Sequence, residues 1–341
     1  MSIEISKQTT FDQFLTVKNK KRRYFYVDWS KHPYTVLWLT DRPSKVNYEV
    51  DIKWRQLGWV VTLCGYNEDP IYEKPQETLY NNVPLLKSHL QKCIRRQLTN
   101  KAIQTAWHLI KMDFNSFIRR LPIIMLEDVR LHYSISLLIW LMVATSKGYC
   151  PTQTQIEWVL GVVSYLCSEN QYDCFKENYE NIKNTSMMIK KIETLKGLIP
   201  TQRDLLYSLL LRLSYGGMKG DMNMIYGFVE SWTQKFINGD DIDNKTIFPI
   251  SILSINDLLI VDIEKTCADF HCFPRLLEMI HNKFKNYSID DIRQCLWEYN
   301  SKYNSRKHND QIINNQYLFF IWSEIKSVTQ SLQDQLITSC Y

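Results

Sequence analysis

The sequence predicts a mainly α-helical protein with a small β-rich segment near its N-terminus. Ten glycines and ten prolines in 341 residues disfavour a loop-rich β-sandwich. Beyond residue 75, apolar residues recur at helical spacing over nearly the whole chain. We therefore expect three parts: a polar tail over 1–23, a small β meander over 24–75 and a helical domain over 76–341.

Four short runs of aromatic and β-branched residues predict the strands of the β segment. They read RYFYVDW, YTVLWLTD, YEVDIKWRQ and GWVVTLCGY, and short turn sequences separate them. Strands that follow one another so closely are typical of a meander.

About ten helices are expected after residue 75, with breaks at sequences such as QLTN, KGYCP, GLIPTQ and YGGMKGD. The longest apolar run, residues 133–146, is too short to span a bilayer and predicts a buried core helix. Nine scattered cysteines without a preceding signal peptide indicate reduced thiols in an intracellular protein. We expect no membrane partner and a location in the nucleus or at a viral or cytoplasmic replication site.

Apolar residues in the polar tail look suited to a partner's pocket. Gln8 is followed three residues later by Phe11, and then by Phe14 and Leu15. This pattern resembles the peptide that docks on eukaryotic (PCNA-like) sliding clamps. The resemblance implies that the three apolar side chains are anchors presented to a clamp; the alternative is that they pack on the protein's own body.

A run of cations follows this motif. The net charge is only +5, but KNKKRR has five cations in six positions and ends with Lys20, Lys21, Arg22 and Arg23. Such a run suits nucleic-acid binding or nuclear targeting, or forms a solvated surface. We expect an anionic partner because neighbouring like charges repel one another.

Residues 85–132 carry the second resemblance, to the helical collar of clamp-loader-like ATPases of the Werner-helicase-interacting (replication-associated recombination) family. The matching residues are Lys87, Ser88, Arg95, Arg96, Ala102, Ala106, Leu109, Arg119, Arg120, Leu121, Ile124, Glu127 and Asp128. The sequence has no G-x-x-x-x-G-K-[ST] loop, so the resemblance implies a collar without an ATPase motor.

The charges of this block allow two interpretations. In one, Lys87, Lys92, Arg95 and Arg96 lie on an exposed helix and contact DNA phosphates. In the other, the cations form ion pairs between helices with Glu127 and Asp128. Arg119 and Arg120 are too far from these two carboxylates for i,i+4 contacts within one helix.

The segment RLSYGGMKGDMNMIYGF holds four of the ten glycines and follows an apolar helix. It predicts either a helix end with Asp221 as the N-cap of the next helix, or a phosphate or nucleic-acid contact through Lys219 and backbone amides.

Two clusters late in the sequence contain residue types found in metal sites and in nucleic-acid sites. Cys267, His271, Cys272 and His281 lack the close pairing of a zinc site, so we expect no metal, and expect Asp269 and His271 to fix a helix start. Aromatic and basic residues alternate in LWEYNSKYNSRKHND; they are Trp297, Tyr299, Lys302, Tyr303, Arg306, Lys307 and His308. In one interpretation the aromatic rings stack on bases and the cations hold phosphates. In the other, the aromatic residues belong to the core and the cations are solvated.

The sequence thus predicts a non-enzymatic DNA replication or repair accessory protein, without cofactors, that binds a sliding clamp by its tail and DNA or replication proteins by its body. The alternatives are an oligomeric structural adaptor without DNA binding, and an enzyme that binds a phosphate substrate at the YGGMKGD loop.

Overall fold

The computed structural model describes residues 21–54, 57–72, 82–173, 185–243, 245–255, 262–306 and 315–340. The described chain is mainly α-helical, with ten α-helices and one small four-stranded sheet near the N-terminus, which confirms the predicted fold class.

The sheet is formed by β1 (Arg22–Asp28), β2 (Val36–Leu39), β3 (Tyr48–Trp54) and β4 (Trp59–Tyr66), in the order β2-β1-β4-β3. β1 and β4 pair in parallel at the centre, and each pairs antiparallel with one edge strand. The predicted meander is therefore wrong, because a meander pairs only consecutive strands. The two central strands carry the most continuous buried runs, as expected for strands covered on both faces.

The helices follow the sheet in sequence. They are α1 (Val83–Arg95), α2 (Thr99–Asp128), α3 (Ile135–Thr145), α4 (Gln153–Ser168), α5 (Thr185–Thr194), α6 (Pro200–Ser214), α7 (Lys219–Ile237), α8 (Arg275–Lys283), α9 (Ile289–Leu296) and α10 (Gln316–Thr338). α2 bends at Asp113, whose backbone leaves the helical region and whose carboxylate accepts a hydrogen bond from the N–H of Ser116.

Helix α3 lies at the centre of the body, and every one of its residues is buried. This confirms the core helix predicted from residues 133–146. The indole N–H of Trp140 donates to the carbonyl oxygens of Phe25 and Cys64, each at 3.1 Å, and so joins α3 to the two central strands.

Two hydrophobic clusters divide the described chain. The larger contains the sheet and residues from α1 to α7, and the smaller is formed mainly by α8, α9 and α10. Charged and polar side chains of α1 contact residues on the side of the smaller cluster: Lys92 pairs with Asp269, and Arg95 donates to the carbonyl oxygen of Ser301. Among the described helices, none is long and apolar enough to cross a membrane.

Candidate anion site at the start of helix α7

The glycine-rich segment reverses the chain between α6 and α7. Gly216 and Gly217 adopt positive φ angles of 71° and 156°, a conformation that glycine reaches without steric cost. Arg212 of α6 donates from Nη1 to the carbonyl oxygen of Gly216 at 2.8 Å. The segment then enters α7 through Met218, which has extended backbone angles.

Helix α7 begins without a side-chain cap. Met218 occupies the N-cap position, and its thioether gives no cap hydrogen bond. The first helical bond runs from Met222 N to Met218 O, so the N–H groups of Lys219, Gly220 and Asp221 keep no partner within the described chain. The prediction that Asp221 is the N-cap is wrong, because Asp221 lies three residues inside the helix.

The exposed start of α7 is therefore a positive helix end that a ligand can reach. α7 has 19 residues, and the partial charges of its free N–H groups favour an anion at this end. A Cβ atom added at Gly220 would meet no atom within 4 Å, so the backbone here is open to close approach. Lys219 is exposed in the same turn.

Arg212 adds a buried cation beside this helix end. Its side chain is only 4% exposed, and its Nε has no hydrogen-bond partner among the described residues. Its Nη2 lies 3.9 Å from the position that a Cβ on Gly217 would take, so the guanidinium faces the segment leading into α7. Burial and the positive charges of Arg119 and Arg120 lower the pKa of Arg212 to about 10. The negative charge of Asp221 acts in the opposite direction, and Arg212 remains charged at neutral pH.

Helix α2 carries two further arginines, Arg119 and Arg120, and the charge of Arg120 is neutralised by neighbouring carboxylates. Arg120 lies 3.6 Å from Glu127 and 3.7 Å from Asp221, and it donates to Gln91 Oε1 at 2.5 Å. Arg119 is exposed and has no hydrogen bond or ion pair to another described residue. We define the anion site as Arg119, Arg212, Lys219 and the free N–H groups that begin α7.

Of the other basic residues predicted to bind nucleic acid in this block, Lys92 and Arg95 are buried, whereas Lys87 and Arg96 are half-buried. Lys92 Nζ is 2.5 Å from Asp269 Oδ2, and Arg95 donates from Nε to Asp128 Oδ1 at 2.6 Å. Arg96 donates to the carbonyl oxygen of Asn300 at 2.6 Å. The predicted exposed basic face does not form, because these side chains join α1 to α2 and to the segment before α10.

The alternative prediction for this block, ion pairs between helices, is confirmed. Arg95 of α1 contacts both Glu127 and Asp128 of α2, and Arg120 of α2 contacts Asp221 of α7. Arg120 also reaches Glu127 in its own helix, a contact across two turns that the sequence argument, which considered only i,i+4 pairs, did not predict.

The end of the basic tail run is attached to the body. Lys21 and Arg23 contact Glu193 of α5, and Arg22 donates to Asp51 Oδ1 at 2.7 Å. The remaining predicted tail residues lie outside the described residues; they are Gln8, Phe11, Phe14, Leu15 and Lys20.

The late histidine and cysteine cluster has a structural role. Asp269 Oδ1 accepts from the backbone N–H of His271 at 2.9 Å in the turn before α8. The predicted helix start is not found there, because α8 begins at Arg275 with Pro274 as its N-cap and without a side-chain cap hydrogen bond. Burial alone would raise the pKa of Asp269, but hydrogen bonding with His271 and the charge of Lys92 lower it below its usual range. No group of three or more metal-ligating side chains occurs among the described residues.

Sequence reasoning missed the role of Arg306. Its side chain is buried, and its nitrogens donate to the carbonyl oxygens of Ile94, Arg95, Leu166 and Glu169. Arg306 therefore caps carbonyl groups at the C-terminal ends of α1 and α4. No local pattern around Arg306 indicates this, because the acceptors are backbone atoms that only the fold brings together.

Comparisons of the chain with family models, curated proteins and solved structures find no match. The resemblances to a clamp-binding peptide and to a clamp-loader collar accordingly stay predictions.

Proposed function

We propose that this protein is a non-enzymatic accessory factor of DNA replication or repair. In this proposal, its body contacts DNA phosphates at the anion site, and a sliding clamp binds the tail motif of Gln8, Phe11, Phe14 and Leu15. The observation that carries the DNA-binding part is a group of three cations without ion-pair partners among the described residues. Lys219 and Arg212 lie at the uncapped start of α7, and the charge of Arg119 acts on Arg212.

Lys219 and Arg119 suit this role better than the basic residues of α1. Both are exposed, whereas Lys92 and Arg95 are already paired with Asp269 and Asp128 inside the protein. A phosphate contact replaces solvent and counterions around an exposed cation and leaves existing ion pairs intact.

DNA binding is tested by fluorescence anisotropy with a labelled oligonucleotide at several salt concentrations. Lys219→Ala and Arg119→Ala should each weaken binding, and each should reduce the slope of log K against log salt by about 1 per lost phosphate contact. Lys326→Ala, which removes an exposed cation on α10, is the matched control. Equal affinity of all four proteins would contradict the proposal.

Clamp binding is tested separately with Phe14→Ala. Loss of a buried aromatic anchor should weaken binding to the cognate clamp by about tenfold or more, since every ~1.4 kcal/mol is tenfold. The melting temperature of the isolated protein should not change. Ile5→Ala, an apolar change outside the motif, should leave clamp affinity unchanged. A lower melting temperature of Phe14→Ala would indicate that the tail packs on its own body.

One observation favours a second function, that of an oligomeric adaptor. Tyr317, Phe319 and Phe320 at the start of α10 are 54%, 61% and 56% exposed. Light scattering distinguishes the two functions: a monomer that binds DNA supports the accessory factor, and a DNA-indifferent oligomer that Phe319→Glu dissociates supports the adaptor.

A further inference from the structure

We propose that the anion site binds a terminal phosphomonoester of a DNA strand in preference to the phosphodiesters within the strand. This inference rests on the proposed function and adds the chemical class of the group bound. It follows from the way the donors of the site are arranged.

The donors meet around one helix end. The free N–H groups of Lys219, Gly220 and Asp221 belong to a single turn, and the guanidinium of Arg212 lies beside the two glycines that precede it. A surface that tracks internal phosphodiesters instead spreads its cations along a groove. Donors gathered at one point suit a group that offers several oxygens there.

The charge of the site matches a terminal phosphate. Three cations have no ion-pair partner among the described residues, while the acidic residue of the turn, Asp221, is already paired with Arg120. A phosphomonoester carries a charge of −1.5 to −2 at neutral pH and three acceptor oxygens. An internal phosphodiester carries one negative charge and two free oxygens, so it would leave more of the site unsatisfied.

The burial of Arg212 also favours a terminal phosphate over an internal one. Its side chain is almost fully buried with Nε unpaired, whereas Lys219 and Arg119 are exposed, so the cations of the site extend from the surface inward. A strand end can approach by its terminal phosphate, whereas an internal phosphate has a sugar on both sides. Gly216 and Gly220 leave open space beside the backbone, where a Cβ would meet no atom within 4 Å.

The test compares two single-stranded oligonucleotides of the same sequence, one with a 5′-phosphate and one with a 5′-hydroxyl, each labelled at the 3′ end. The full-length protein should bind the phosphorylated strand about tenfold more tightly, as expected from one or more charge-assisted hydrogen bonds. A phosphoserine peptide of matched charge should compete only weakly.

Met218→Asp gives a variant that closes the site without damaging the fold. An aspartate at the N-cap accepts from the free N–H groups of α7 and repels a phosphate, so the 5′-phosphate preference should disappear while the melting temperature stays equal or rises. Met218→Leu keeps an apolar side chain there and should retain the preference.

Equal binding of the two oligonucleotides, with Lys219→Ala still weakening both, would overturn this inference and leave the proposed function standing. Failure to bind either strand would overturn both. Competition by the phosphoserine peptide at the affinity of the phosphorylated strand would overturn the inference in favour of a phosphoprotein ligand.

Discussion

Lys92 Nζ lies 2.5 Å from Asp269 Oδ2, and both side chains are buried at the contact between α1 and the turn that leads to α8. Ser301 donates to the same carboxylate oxygen at 2.9 Å. This ion pair helps to hold the smaller hydrophobic cluster against the larger one.

Removing one partner of this pair should destabilise the protein strongly. Lys92→Met leaves Asp269 buried without its cation, which typically costs about 3–5 kcal/mol. The free energy of unfolding in urea measures the loss. Arg42→Ala, which breaks the exposed ion pair with Glu49, should cost far less, because solvent screens this pair. Similar losses in the two variants would contradict a special role for the buried pair.

Asp204 should make the protein less stable as pH rises toward neutrality. Its carboxylate is buried beside β2, where it accepts from the backbone N–H of Trp38 at 3.1 Å, and burial raises its pKa to about 7. The folded state therefore holds the proton more tightly than the unfolded state, whose Asp pKa is about 3.9. The contribution to stability is present below about pH 4 and is lost as pH rises through about 7.

The variant Asp204→Asn tests this sign. At pH 8 it should be more stable than the wild type, by up to about 4 kcal/mol, because no buried charge has to form. The gain should shrink toward pH 5. Urea unfolding at the two pH values measures it, with the exposed Asp41→Asn as the control. A variant less stable than the wild type at pH 8 would show that Asp204 is stabilised as a carboxylate.

Two buried histidines should make the folded protein less stable as pH falls, which is opposite in sign to the effect of Asp204. Burial lowers the pKa of His89 to about 3 and that of His132 to about 4. His89 lies 2.7 Å from Thr105 Oγ1 through Nδ1, and its Nε2 accepts from Glu264 N at 3.0 Å, so the neutral ring is fully used. The stability that these neutral rings contribute is present above about pH 6.5 and is lost as pH falls toward 3 to 4.

The expected acid slope is about 1.4 kcal/mol per pH unit for each histidine below pH 6. His132→Asn should remove about half of the histidine contribution between pH 6 and 5. His281→Gln, at a less buried position, is the control variant. An unchanged slope in His132→Asn would mean that this ring is already protonated in the folded protein.

Gly65 of β4 should not tolerate a methyl group. A Cβ there would lie 2.8 Å from Cζ2 of Trp140, which two hydrogen bonds hold against the sheet. Gly65→Ala should therefore cost about 1–3 kcal/mol of unfolding free energy, as overpacking does. Gly220→Ala has open space and a helical position, so it should be neutral or slightly stabilising. Equal stability of the two variants would indicate that Trp140 shifts freely.

The sequence predicted the helical fold class and the central helix because both depend on local patterns. Residues 133–146 are apolar at nearly every position, and α3 is buried on every side. The strand positions followed from short β-branched runs in the same way. The strand order did not, since parallel pairing of β1 with β4 depends on which residues meet across the core.

The candidate site was partly predictable. The glycine cluster and Lys219 indicated either a helix end or a phosphate contact at this point of the chain, because glycine conformation and helix ends are local properties. Arg212 and Arg119 could not be assigned to it from sequence, since they come from α6 and α2. Only the packing of those helices brings Arg212 to Gly217 and the charge of Arg119 close enough to lower the pKa of Arg212.

The sequence by itself determined where this protein carries positive charge, and only the tertiary structure decided which of the described cations are paired inside the protein and which stay exposed. KCIRR carries three cations, whereas GGMKGD carries one lysine and one aspartate. Folding buries Lys92 and Arg95 against carboxylates, because a buried cation requires a paired anion. Lys219 stays at an open helix end without such a partner, and that difference depends on contacts between residues far apart in the chain.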